Sequence, residues 1–156
     1  MKMWLMINVY CLKVNKKYNR KFVTNLKNAV DKYLTVEHKF YCMTDEPEEK
    51  WDIPIVRKFP DVWNKMHFLN YVGNSLYFDL DIEIHDNIDF LADNFEDFTV
   101  VDSRRWKKQK EDLGFKVSNN TFVNSSIMRW SFAQHIYQKF ANNCDTYLRL
   151  YKGIDR

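Results

Sequence analysis

The opening forty-four residues constrain the fold most. Residues 3–11, MWLMINVYC, are apolar nearly throughout, as strands of a parallel sheet covered on both faces are. Residues 19–34 then place Phe22, Leu26, Ala29, Val30 and Tyr33 on one helical stripe, with Lys and Asn on the other face. Residues 38–43, HKFYCM, read as a second strand, stopping at the turn Thr44-Asp45-Glu46-Pro47.

Strand and helix patterns keep alternating. A short peripheral strand is expected at 53–58, between Pro54 and Pro60, and a helix at 62–72 carrying Val62, Met66, Leu69 and Val72. Residues 75–84 form the clearest strand. A short helix at 88–93 and a strand at 98–102 follow, and residues 103–116 are charged and expected as loop. A strand at 121–129 leads into a long helix at 131–150, with Phe132, Ile136, Phe140 and Leu148 facing inward. This order implies an α/β sandwich, a mostly parallel central sheet flanked by helices, with no internal repeat. In such sheets ligands sit beyond the carboxyl ends of the strands. The chemistry is therefore expected around Tyr10–Tyr18, Thr44–Asp45, Asp79–His85 and Asp102–Arg105.

A chain of 156 residues makes one domain, spanning 1–156, and 46% hydrophobic with 17% aromatic residues gives it ample core. Only 3 Gly are present, and neither GxGxxG nor a P-loop occurs, so phosphates are not expected in a glycine-rich cradle. A net charge of +3 is too small to argue for nucleic acid, and no nucleic-acid partner is expected. Cys11, Cys42 and Cys144, odd in number and without CxxC, fit a reduced cytoplasmic protein and not a disulfide framework or zinc site. Asn8 interrupts the N-terminal apolar run and no small-residue cleavage site follows, so a buried strand fits better than a signal peptide. No apolar stretch approaches the ~20 residues of a membrane span, so no transmembrane segment is expected.

The segment Leu76 to His85 alternates strictly. Leu76, Phe78, Leu80, Ile82 and Ile84 take one parity; Tyr77, Asp79, Asp81, Glu83 and His85 take the other. A strand with one solvated face shows the same pattern. A central α/β strand is covered on both faces, however, so the acidic parity is expected to be buried or to line a cleft. Two carboxylates ~5 Å apart repel by roughly 3 kcal/mol at an effective dielectric of 20. Protonation or a cation removes that cost, and hard oxygen ligands suit Mg²⁺ or Mn²⁺ shared with substrate phosphates. His85 shares the parity and is a candidate third or supporting ligand.

Four segments together resemble a glycosyltransferase of the GT-A fold, the Rossmann-like nucleotide-diphospho-sugar transferases, most closely the glycogenin-like family 8 branch. Asn15-Lys16-Lys17-Tyr18 is similar to the Asn-x-x-Tyr turn that contacts the nucleotide base. Trp63-Asn64-Lys65-Met66 resembles the family's Lys-bearing helix, and Tyr77-Phe78-Asp79-Leu80-Asp81 its DxD motif. Phe122-Val123-Asn124-Ser125-Ser126-Ile127-Met128 resembles its Phe-Asn-Ser-Gly-Val strand, and Cys42-Met43-Thr44-Asp45 fits the Thr-Asp that ends the second strand. The match runs in order over residues 3–130.

The resemblance implies that Tyr18 stacks near uracil or another base, with Thr44 and Asp45 nearby, and that Lys65 reaches the diphosphate or donor sugar. It implies that Asp79 touches metal and ribose, that Asp81 binds the metal, and that Asn124 and Ser125 lie near the transferred sugar or acceptor. The donor is then a nucleotide-diphosphate sugar, a UDP-sugar first, with Mn²⁺ or Mg²⁺ as cofactor. The acceptor is a glycan, lipid or protein. Ser126 stands where the family carries Gly. No counterpart of the family's C-terminal metal-ligating His or HxxGxxKPW-like ending is present, so the acceptor half is expected to be reduced or absent. Asp155 is the candidate for a second acidic site and, with Asn124, for a catalytic role.

Two rivals remain at this point. A metal-dependent nuclease or nucleotidyltransferase also uses paired acids, and would recruit Asp102 as a further carboxylate. An inactive nucleotide-sugar-binding module would keep the cleft without turnover. The basic run Arg104 to Lys110 reads as a solvated loop or as a flap over the donor phosphates. Trp63 and Trp106 are candidate sugar platforms.

Overall fold

A computed structural model describes residues 6–95, 98–116, 122–151 and 153. Strands β1 (Ile7–Lys13), β2 (His38–Thr44) and β3 (Asp52–Pro54) alternate with helix α1 (Arg20–Tyr33) and a 3₁₀ helix at Asp61–Asn70. Next come β4 (Ser75–Phe78), a 3₁₀ turn at Asp89–Ala92, β5 (Thr99–Asp102), α2 (Arg104–Asp112), β6 (Val123–Trp130), α3 (Gln134–Asn142) and α4 (Cys144–Leu150). The six strands form one sheet in the order β3-β2-β1-β4-β6-β5. Pairings among β3, β2, β1 and β4 are parallel, and β6 runs antiparallel to both β4 and β5. This is the expected α/β sandwich with a mostly parallel sheet.

Both sheet faces are covered. Ile7, Val9 and Cys11 of β1, with Leu76 and Phe78 of β4, pack against Val23, Leu26 and Val30 of α1. The opposite parity, Tyr10, Leu12 and Tyr77, packs under the 61–70 helix and α3, against Phe68, Trp130 and Phe140. The α1 stripe is turned slightly from the expected one, since Phe22 is exposed and Val23 is buried. Asn19 caps α1, its side chain accepting from Lys21 N at 3.0 Å.

The 61–70 segment winds as 3₁₀ helix, where side chains three apart eclipse. Trp63, Met66 and Leu69 therefore share one buried row and Lys65 and Phe68 another, whereas Val62 and Val72, expected inside, are exposed. β4 is shorter than the expected 75–84 strand. Its ladders end at Tyr77 against β1 and at Phe78 against β6, and the chain then turns, Ile82 N donating to Asp79 O at 3.1 Å. Leu80 is still buried, and Ile82 and Ile84 pack on the same side as Leu76.

Residues 104–112, expected as loop, are helix α2 with no buried residue. Arg, Lys, Gln and Glu are strong helix formers, and propensity suffices where no apolar stripe signals the helix. The expected 131–150 helix is two helices, broken at Asn143, whose backbone (φ −130°, ψ 24°) is not helical. Phe140 faces inward as expected, and Phe132 is exposed ahead of α3. All three cysteines are buried free thiols. Among the described residues, no helix is long and apolar enough to cross a membrane.

Candidate functional site

β1 has β2 on one side and β4 on the other, and the chain leaves their carboxyl ends in different directions. That switch point is where open α/β sheets form a crevice. A cleft of about 410 Å³ lies there. Leu12, Val14, Lys17 and Tyr18 come from the end of β1, and Tyr77, Asp79, Leu80 and Asp81 from the end of β4. Asp61, Val62 and Lys65 of the 61–70 helix close the third side.

Lys65 is the hub. Its side chain is 6% exposed, and Nζ lies 2.7 Å from Asp79 Oδ1 and 2.9 Å from Oδ2. It also donates to Ser125 Oγ at 3.2 Å. The Tyr77 hydroxyl donates to Asp79 Oδ1 at 2.6 Å, so one carboxylate is gripped by an ammonium and a phenol. Burial, then the neighbouring Asp79 carboxylate, push the Tyr77 phenol well above its ordinary pKa, so it stays a donor.

Asp81 is more exposed and accepts from the Tyr18 hydroxyl at 3.0 Å. Partial burial and that bond raise the Tyr18 pKa. Lys17 Nζ lies 4.9 Å from the Tyr18 ring centre, and the Tyr18 hydroxyl beside it holds the ammonium's pKa up. Asp79 and Asp81 thus line one cleft, as expected. They do so from a turn and not from alternate positions of a strand.

At the rim, Asn15 (φ 58°) and Asp61 (φ 37°) both occupy left-handed backbone, and the Asn15 side-chain amide donates to Asp61 Oδ1. Asn and Asp tolerate this region best after Gly. Such backbone persists only where the surroundings enforce it, which is common at ligand-binding sites.

Other expected site residues lie off the cleft lining. Thr44 is fully buried, its hydroxyl accepting from Glu46 N at 3.1 Å to shape the turn after β2. Asp45 pairs with Lys58 at 2.5 Å and accepts from Asn15 N at 3.3 Å, and the Lys58 ammonium holds its carboxyl below the usual range. It braces the Asn15 turn without lining the cleft. Asn124 spends its carbonyl oxygen on Ser126, accepting from the backbone N at 2.9 Å and from the hydroxyl. Ser125 reaches the site through Lys65. Asp155 lies outside the described residues.

His85 is 81% exposed and pairs with Glu83 at 3.2 Å, away from the two aspartates' cleft. Asp102 sits two strands from β4 and pairs with Arg104, which holds its carboxyl down to about 2. The basic run on α2 does not line the cleft. Trp63 is buried face to face with Phe140, 5.3 Å between ring centres, and Trp106 stands exposed on α2. Three polar cleft residues had no individual role assigned from sequence: Lys17, Asp61 and Tyr77. Tyr77 carried a signal, because it shares the parity of Asp79.

No sequence-family profile matches the chain, and no curated protein matches it by sequence. Solved structures do. The galactosyltransferase LgtC, in complex with donor and acceptor sugar analogues, superposes with a TM-score of 0.62 at 12% identity, over 95% of this chain and 67% of LgtC. The apo glycosyltransferase GlyE of Streptococcus pneumoniae TIGR4 gives 0.61 at 12% identity, over 97% of this chain and 41% of GlyE. The chain therefore spans two thirds of one neighbour and less than half of the other, and its fold is that of the GT-A glycosyltransferases.

Proposed function

We propose that this chain is a metal-dependent glycosyltransferase that moves a sugar from a nucleotide-diphosphate sugar, UDP-linked first, to a hydroxyl acceptor, on the pattern of the glycogenin-like family 8 branch. The observation that carries this reading is the switch-point cleft, in which two bonded pairs, Lys65 with Asp79 and Tyr18 with Asp81, line one cavity on a GT-A framework.

Charge supports a divalent ion. Three carboxylates, Asp61, Asp79 and Asp81, line the cleft against two ammonium groups, Lys17 and Lys65. Lys65 is already committed to Asp79. A diphosphate entering this cleft meets net negative charge and needs a further cation. Among the described residues, no group of three or more His, Cys, Asp or Glu could hold a metal by itself. Two carboxylates plus substrate phosphate oxygens is the donor set that Mg²⁺ or Mn²⁺ accepts. Asp79 and Asp81 fit that set, and an ion held there would supply Lewis-acid stabilisation of the leaving phosphate.

The protein's own contributions follow from position. Lys65, nearly buried, adds a fixed positive charge against the charge that develops on the leaving diphosphate. Tyr77 holds Asp79 in orientation through its hydroxyl. Tyr18 offers a ring at the cleft's open side for the base, with its hydroxyl holding Asp81. In the transfer, the acceptor oxygen bonds to the anomeric carbon and the bond from that carbon to the diphosphate oxygen breaks. The bonding pair leaves on the diphosphate, which also takes up the acceptor's proton.

The test is nucleotide release from a panel of UDP-, GDP- and CDP-sugars by the purified chain, with Mn²⁺, with Mg²⁺ and with chelator. Release from one donor class that stops on chelation is the expected result. Release that ignores the metal, or degradation of nucleic acid instead, overturns the reading.

A further inference from the structure

Lys65 belongs to two walls at once. One side of Lys65 faces the cleft; on the other lies a separate cavity of about 440 Å³, which Ser125 also lines. We propose that this second cavity seats the acceptor and that the acceptor is an alcohol carried on an apolar, alkyl or aryl, group. The proposal rests on the sugar-transfer reading and names the substrate class for that same site.

The chemistry of the walls selects the occupant. Trp63, Met66 and Leu69 come from the 61–70 helix, Met128 from β6 and Phe140 from α3. A sugar seated among them would bury several hydroxyls, each needing a partner to offset its lost hydration. Of the polar side chains on the walls, Lys65 and Ser125 already bond one another and Lys65 is held by Asp79, which leaves Lys139, Tyr147 and Tyr151 among mostly apolar neighbours. The Trp63 and Phe140 faces that might stack on a sugar are stacked on each other, 9° from parallel. The same walls reward an apolar group, which gains by leaving water and needs no polar partner. A volume of this size is that of an ordinary small-molecule site.

Position assigns the cavity's role. Lys65 borders both this cavity and the cleft where the leaving group would sit. An acceptor anchored by its apolar part can present its hydroxyl beside Lys65, and the transfer balances as given above. The mouth residues Val123 and Ile136 are partly exposed, so they can be changed without opening the core.

The experiment is calorimetric titration of the full chain with n-octyl β-D-glucoside, kept below its micelle concentration, and with D-glucose, followed by transfer assays with both as acceptors. Octyl glucoside is expected to bind roughly tenfold or more tighter than glucose, the gain expected when an alkyl chain is buried. It is also expected to be the better acceptor. Val123→Arg and Ile136→Trp should each weaken octyl glucoside binding and leave nucleotide stabilisation unchanged. Equal binding of the two probes, or octyl glucoside binding that neither variant weakens, overturns the acceptor assignment while nucleotide binding stands. Octyl glucoside binding in a chain that binds no nucleotide overturns both readings.

Discussion

Lys65 and Asp79 form the ion pair on which the cleft is built, 2.7 Å apart, yet they are unequally buried: 6% of the Lys65 side chain is exposed and 26% of Asp79. A charge stripped of its partner costs more the less water reaches it. Asp79→Asn should therefore destabilise the fold more than Lys65→Met, by about 2–4 against about 1–2 kcal/mol. Urea unfolding of the two variants checks this. The reverse order would mean that Lys65 is better solvated than its position indicates.

The same pair separates stability from activity. Lys65→Met should lower donor turnover on the order of 100-fold or more, the usual loss when a positioned transition-state donor is removed. Tyr77→Phe keeps the ring in the core and removes one hydrogen bond to a carboxylate, worth about 1.5–3 kcal/mol. Its effect on turnover should be smaller than that of Lys65→Met, and initial rates on the two variants decide it.

Tyr18 has two separable roles. Tyr18→Phe removes the bond to Asp81 and keeps the ring, whereas Tyr18→Ala removes both. If the ring carries the base, nucleotide affinity falls by about 1–3 kcal/mol in Tyr18→Ala, the scale of a base–aromatic stack, and much less in Tyr18→Phe. Equal losses would place the base elsewhere.

Away from the site, Asp52 and Arg20 tie β3 to α1 at 2.9 Å, with the Asp52 side chain fully buried. Burial pushes the Asp52 carboxyl up, but Arg20 and the backbone N–H groups of Glu48 and Glu49 outweigh it and hold the pKa below its ordinary value. A carboxyl depressed in the folded state stabilises above its unfolded pKa, about 3.9, and that stability is lost as pH falls through the folded value. The wild type should lose stability below about pH 4 more steeply than Asp52→Asn. Denaturation midpoints between pH 5 and pH 2 measure the difference.

Much of this was legible because it is written in short-range pattern. The run through Val9 and Cys11, the α1 stripe at Leu26 and Val30, and the parity of Leu76 and Phe78 against Tyr77 and Asp79 each follow from one element's own periodicity. What local pattern does not carry depends on distant partners. β4 ends at Phe78 because its ladders with β1 and β6 run out there, which nothing between Asp79 and Ile84 announces. Thr44 carries the right residue type in the right order, but its hydroxyl is used by the turn it starts. The side-chain carbonyl oxygen of Asn124 likewise accepts from Ser126. The apolar cavity behind Lys65 was invisible because its walls come from five separate segments.

The central claim is that Asp79 and Asp81 share a divalent ion with a nucleotide diphosphate in the switch-point cleft, and calorimetric titration of UDP tests it most directly. Mn²⁺ is expected to strengthen UDP binding to the wild type, and Asp81→Asn to weaken the Mn²⁺-dependent part on the order of 10- to 100-fold. UDP binding that is equally tight with Mn²⁺ and with chelator, and unchanged in Asp81→Asn, would contradict it.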